Sequence, residues 1–321
     1  MLSVPLSVLD RSRTRAGETE AETLRATVEL AQQVEDLGCK RFWVSEHHSV
    51  PGVVGSAPTV LAAAVAARTD RIRVGTGGVM LPNHKPLVVA EQFGVLESLY
   101  PGRIDMGLGR SVGFTNGVRR ALGVDKDAAE DFISQVQELL GYLAGTSTDQ
   151  VHARPGEGLH IPPFVLAVGE GATIAARLGL PVVLAARPDS ADLLEDYRST
   201  FQPSAWASEP YVILAVTAAI ADSTEAARQL LLPEAWAGAY SRTRGVFPPL
   251  QPDVPESMTA REQEYFENAL RGQIYGTPAD VEETLGDLVR RTAADELLIT
   301  TNTFDRGALL ANYAALAKLS G

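Results

Sequence analysis

The chain has 321 residues, 45% of them hydrophobic, and a formal net charge of −12 at pH 7; that length suits one α/β barrel without requiring a second domain. The acidic balance argues against nucleic acid or an anionic membrane surface as partner, and no apolar run approaches the roughly 20 residues of a bilayer span. The single cysteine, Cys39, excludes an internal disulfide and a thiolate metal cluster, and with no basic-then-apolar leader the chain reads as cytoplasmic.

Short β-branched runs alternate with helical patterns from end to end. Strands are predicted over 2–9, 41–45, 72–75, 103–107, 164–168, 182–185, 211–218 and 296–301. Several of them (FVLAV, PVVLAA, YVILAVTAAI) are nearly continuous apolar runs, the pattern of parallel strands covered on both faces. The helical window ETEAETLRATVELAQQVEDLG stops at Gly38. The next, SAPTVLAAAVAARTD, takes Ser56 as N-cap with Pro58 in its first turn. PLVVAEQFGVLESLYPG ends at a Pro-Gly break, DKDAAEDFISQVQELLGYLAG is acidic at its start, as the helix dipole favours, and TPADVEETLGDLVRRT opens at Thr277. Strict alternation around eight strands predicts a closed (β/α)8 TIM barrel over residues 1–321, with an open doubly wound sheet as runner-up. Two segments break the rhythm. Residues 145–163 show little periodicity, and 233–276 carry the Pro-rich VFPPLQPDVPESM between the seventh and eighth strands, either as a lid or as a solvated decoration.

The stretch RIDMGLGRSVG invites a dinucleotide reading. Its glycines, Gly107, Gly109 and Gly113, give G-x-G-x-x-x-G, one residue longer than the fingerprint, and about 20 residues on there is a helical pattern where a strand-end acid is required. In a barrel the same stretch delivers Gly109 and Arg110 to the C-terminal rim, where Arg110 either holds a phosphate or carboxylate or sits in a surface salt bridge. The second strand ends in FWVSEHH. Side chains there alternate in direction, so only one of His47 and His48 faces the mouth; the pair is a poor chelate, and spacing completes no metal site. A rim histidine suits proton transfer near pH 7, or else plays a structural part. The third strand ends in VGTGGVMLPNHKP, where Gly75, Gly77 and Gly78 mark either the approach of a flat ligand or a tight bend. Asp10 closes the first strand and Glu170 follows the fifth, a pair of carboxylates that raises a glycosidase alternative; few aromatics are available to stack on a sugar.

Taken together, FWVSEHH, RIRVGTGGVMLPNHKPLVVAEQF, PGRIDMGLGR, ARLGLP and IYGTPADVEETL…ADELLITTN resemble the luciferase-like flavin monooxygenases over nearly the whole chain. The opening PLSVLD is similar to the shorter bacterial members, some of which tailor secondary metabolites. The resemblance implies a (β/α)8 barrel, a homodimer, and reduced FMN from a separate reductase reacting with O2 as a peroxyflavin that oxygenates a small organic substrate. It implies that His47 is the catalytic histidine. Gly77 and Gly78 would lie beside the isoalloxazine, joined in relatives by a non-prolyl cis peptide, and Arg110 would bind the flavin phosphate. Gly109 stands where the luciferases proper have a reactive cysteine. After the fifth strand, Gly169, Gly171 and Thr173 stand where relatives offer hydroxyls to the phosphate, with Glu170 opposing an anion, which predicts modest FMN affinity. Asp10, Glu46 and Asn83 are expected in the pocket wall. A deazaflavin (F420)-dependent dehydrogenase, a barrel hydrolase and a flavin-binding protein without catalysis are the alternatives.

Overall fold

The computed structural model describes residues 1–147, 150–169 and 171–320. Eight parallel strands form the barrel: β1 (Leu6–Asp10), β2 (Arg41–Val44), β3 (Arg73–Thr76), β4 (Ile104–Gly109), β5 (Pro163–Ala167), β6 (Val182–Ala185), β7 (Val212–Val216) and β8 (Glu296–Ile299). They lie in the order β3, β2, β1, β8, β7, β6, β5, β4, and β4 pairs back onto β3 to close the sheet. The expected (β/α)8 barrel is therefore the fold, and each predicted strand is present with its ends trimmed or extended. Among the described residues no helix is long and apolar enough to cross a membrane.

By internal packing the chain forms two compact units, one of residues 1–42, 49–55 and 214–321 and the other of residues 43–48 and 56–213. In the second unit the register runs Val74 to Ile104 and Gly75 to Asp105 between β3 and β4, then Gly107 to Phe164 and Gly109 to Leu166 between β4 and β5. The Asp105 carboxylate is fully buried. It accepts from Trp43 Nε1 at 3.1 Å and from Arg73 Nη2 at 2.7 Å, so its charge is met inside the core. A Cβ on Gly107 would lie 1.9 Å from the Thr76 carbonyl oxygen. The glycine lets β3 and β4 come close enough for the Thr76 hydroxyl to bond the Gly107 carbonyl at 2.7 Å.

In the first unit β1 pairs with β8, Leu6 opposite Leu297. The fully buried Glu296 accepts from Ser7 Oγ and, at 2.9 Å, from Arg41 Nε. Cys39 packs between a helix and β2, where burial pushes its thiol up to about 11, in keeping with a small unreactive hydrophobe. The sequence places an element boundary at Pro233, yet the helix Thr224–Arg244 runs through it. A proline inside a helix costs about 3 kcal/mol. Here Leu231, Trp236 and Ala239 gain burial against Phe266 and Leu270 of the helix Ala260–Leu270, which offsets that cost. The Pro-rich loop after it is strapped down: Gly52 N donates to Phe247 O at 2.9 Å, Ala16 N to Leu250 O at 2.8 Å, and Leu250 N to Thr14 O at 2.8 Å.

Beneath that strap Arg13, fully buried, lies 4.3 Å from the centre of the Phe247 ring and donates to Glu234 Oε2 at 2.9 Å, while Arg11 donates to Oε1 at 2.8 Å. Burial opposes ionisation of Glu234, but the charges and hydrogen bonds of Arg11 and Arg13 outweigh it, so its pKa is lowered. A lowered carboxylate pKa adds stability at pH above the unfolded-state value, and that stability is lost as pH falls through the folded value. Glu234→Gln is therefore expected to cost about 3 kcal/mol at pH 7, because it strands Arg13. Urea denaturation repeated at decreasing pH should show the gap between wild type and variant closing below the normal carboxylate range; a pH-independent gap would contradict the ion-pair account.

Candidate active site

The ends of β2, β3, β4 and β5, all in the second unit, carry the polar groups singled out from the sequence. β2 is buried along its length and runs out through Ser45, Glu46, His47 and His48. His47 and His48 lie past the end of β2 at Val44, and their rings take different partners. His47 Nδ1 lies 3.1 Å from Ser45 Oγ, and its ring stacks on the exposed Phe114, with centroids 6.1 Å apart and planes at 20°. His48 Nε2 lies 2.6 Å from Glu46 Oε1.

Glu46 is the best-satisfied acid of the site. Only 3% exposed, it takes His48 Nε2 and His84 Nε2 (2.8 Å) on Oε1 and the Met80 N–H (2.8 Å) on Oε2. Burial pushes its carboxyl up, but the hydrogen bond and charge of His84 and the bonds from Met80 and His48 outweigh burial and hold it below the ordinary range. Spacing along the chain completed no metal site. The structure supplies a third donor, His84, from the next strand end, and places one carboxylate oxygen and two ring nitrogens within 4.8 Å of one another, a set that could hold a divalent cation. His84 was written in LPNHKP, but which strand ends are neighbours is decided by barrel closure.

After β3 the Gly77–Gly78 peptide is cis, as the resemblance implies. Gly77 N donates to Val44 O at 2.7 Å, tying this turn to β2. A Cβ on Gly78 would lie 2.8 Å from Gly107 O and 3.1 Å from Leu166 Cδ1, so packing against β4 and β5 already demands a glycine there. Val79–Met80 then pairs with Leu108–Gly109. Asn83, in the following 3-10 turn, keeps both amide atoms buried without a partner. An unsatisfied buried amide costs about 1–3 kcal/mol.

Gly109 has room: a Cβ there would meet only Val79 O, at 3.6 Å. Arg110 is exposed and holds its Nε on Ala129 O at 3.1 Å. Beyond β5, Val168 is exposed and Gly169 has φ +58°, leading into the helix Gly171–Leu178 with Thr173 exposed in its first turn. Gly171 N and Ala172 N are already turned onto Val168 O (3.4 Å) and Gly169 O (3.2 Å), so fewer N–H groups remain for an anion than a fully open helix start offers. Glu170 lies outside the described residues. Asp10, in the first unit, is buried with Oδ1 on Ser12 N (3.2 Å) and Oδ2 on Thr27 Oγ1 (2.6 Å), the posture of a structural carboxylate. Phe114 carried no signal in the sequence beyond being an aromatic in a glycine-rich loop.

Two of these glycines make a paired test. Gly78→Ala is expected to destabilise the chain by about 1–3 kcal/mol through overpacking, whereas Gly109→Ala should stay within about 0.5 kcal/mol of wild type. Denaturation midpoints check both, and equal costs would show that the packing argument is wrong.

A family model for luciferase-like monooxygenases matches residues 4–296. The uncharacterized protein YvbT of Bacillus subtilis (strain 168) is 40% identical over 97% of this chain and 95% of its own length. The luciferase-like monooxygenase of Escherichia coli (strain K12) is 35% identical, again over 97% and 95%. The crystal structure of apo-MsnO8 superposes with a TM-score of 0.87 at 31% identity, covering 98% of both chains.

Proposed function

This chain belongs to the luciferase-like monooxygenase family, and on that premise we propose that it is the oxygenase half of a two-component system, taking reduced FMN from a separate reductase to oxygenate a small organic substrate with O2. The observation that carries the reading is the meeting, on neighbouring strand ends of one unit, of a partly buried histidine (His47), the cis Gly77–Gly78 turn, the unpartnered Asn83 amide and the exposed Arg110 guanidinium.

These residues fit FMN. Arg110 would hold the phosphate, helped by the Gly169 and Thr173 N–H groups. The Gly77–Gly78 turn presents bare backbone to a flat ring, and Asn83 offers it both a donor and an acceptor. When bound, the reduced flavin supplies the electrons that let O2 pass one oxygen atom to a substrate. The protein's share is to place and protect. His47 holds or gives up a proton on its ring, with Ser45 Oγ 3.1 Å from Nδ1 keeping the ring in one orientation. Phe114, itself exposed, lies near-parallel to that ring with centroids 6.1 Å apart. Gly109 leaves space beside Arg110 for substrate. The engaged Asp10 supports this reading over a barrel hydrolase, which would need a free acid or nucleophile.

We extend the proposal to a homodimer. The helices Pro58–Ala66 and Pro86–Leu99, joined by a 3.0 Å bond between Thr59 and Gln92, leave Val60, Val88, Val95 and Leu99 exposed. Such an apolar face suits an isologous contact with a second copy, and Val95→Glu is expected to shift the protein toward monomer in sedimentation.

Anaerobic titration with reduced FMN tests the main reading. Saturable binding is expected in wild type, with Arg110→Ala weaker by about 10- to 100-fold. His47→Ala should bind normally yet consume substrate about 100-fold more slowly or worse. Failure to bind FMN, together with binding of a deazaflavin, would make the chain a dehydrogenase instead.

A further inference from the structure

The cluster of Glu46, His48 and His84 does more than neutralise a buried acid. We propose that Glu46 is a positioning residue: by accepting from His48, His84 and the Met80 N–H it sets the ring tautomers of both histidines and holds His47 and the Asn83 amide in register. The proposal rests on the flavin reading above only in what those two groups are held for.

The three donors come from two stretches of chain. His48 follows β2 in the loop that carries Glu46, while Met80 lies in the short strand after the cis turn and His84 closes the adjoining 3-10 turn Leu81–Asn83. One carboxylate therefore ties the end of β2 to the whole run from Gly77 to His84. His47 sits between the acceptor Glu46 and the donor His48, so the peptide on each side of it is anchored. Asn83 precedes His84, so the orphaned amide is held out by a neighbour that cannot turn away. An ionised carboxylate only accepts, which requires a hydrogen on Nε2 of both rings. With neutral rings, each Nδ1 is then left as acceptor.

The same atoms could be read as a metal site, but the distances favour the clamp. The 2.6 and 2.8 Å separations on Oε1 are hydrogen-bond lengths, and Oε2 is already taken by Met80 at 2.8 Å. The set is closed on itself, and a cation would have to displace both ring hydrogens.

Glu46→Gln discriminates well, because an amide has one acceptor and one donor end. With its NH2 toward Met80 it loses that bond; with its NH2 toward the rings it forces them to accept on Nε2. In full-length protein labelled with 15N-histidine and free of flavin, His48 and His84 are expected as Nε2–H in wild type. In Glu46→Gln they should change tautomer, or the Met80 amide should lose exchange protection. With reduced FMN and O2, turnover should fall about 10- to 100-fold, while the apparent affinity for flavin moves less than the rate. His84→Leu, which keeps the carboxylate but removes one donor, should lose rate in the same way, and His84→Gln, which restores a donor, should regain part of it.

Wild-type rings protonated on Nδ1 alone would overturn the proposal, as would Glu46→Gln with unchanged ring signals and rate. Uptake of one Co2+ with a visible absorption band that His84→Leu abolishes would overturn it in favour of a metal site. Because the ring measurement needs no flavin, failure of the clamp and failure of the flavin reading are told apart.

Discussion

The close approach of β3 and β4 is the constraint on which the candidate site depends. Gly107 has no room for a Cβ against the Thr76 carbonyl, and Gly78 has none against Gly107. With side chains removed from both positions, the backbone beyond β3 runs on beside β4 as Val79–Met80, opposite Leu108–Gly109. That course brings the Met80 N–H to Glu46 and carries Asn83 and His84 to the end of the second strand. A Cβ at either position would force the backbone to shift away from its neighbour and loosen that course.

Within each unit, several buried carboxylates are answered by donors from other elements. Asp105 is met by Arg73 and Trp43, Glu296 by Arg41 and Ser7, Glu234 by Arg11 and Arg13, and Glu46 by two histidines and a backbone amide. Such pairs add little net stability over apolar packing, but each is costly to break on one side only. They act as register pins, fixing which strand ends and loops meet. Among the described residues, buried side-chain atoms without a partner belong to Arg11, Thr14, Arg15, Asn83, Glu97 and Gln135, and of these Asn83 immediately precedes His84.

Much of this was legible from the residues. The eight strands follow from apolar β-branched runs between capped helical windows, because period and capping are local properties. The differing partners of His47 and His48 were not legible from strand alternation, because β2 ends at Val44 and both histidines follow it in a loop. Pro233 misled because the usual stop signal was overridden by packing between two successive helices. The glycines at 75 to 78 left two readings open, a ligand or a tight bend, and the structure adds the neighbouring strand as a reason of its own.

By itself the sequence determined the barrel, the family, and the residue types available at each strand end, since these are carried by hydrophobic period and by motifs short enough to read in a line. Tertiary structure alone decided that His84 joins Glu46 and His48, that Phe114 lies alongside His47, that Asp10 is spent on Ser12 and Thr27, and that Asn83 is left without a partner. Each of those facts is a contact across strand ends or loops, set by closure of the sheet and the depth of burial, and neither quantity has a local signature in the chain.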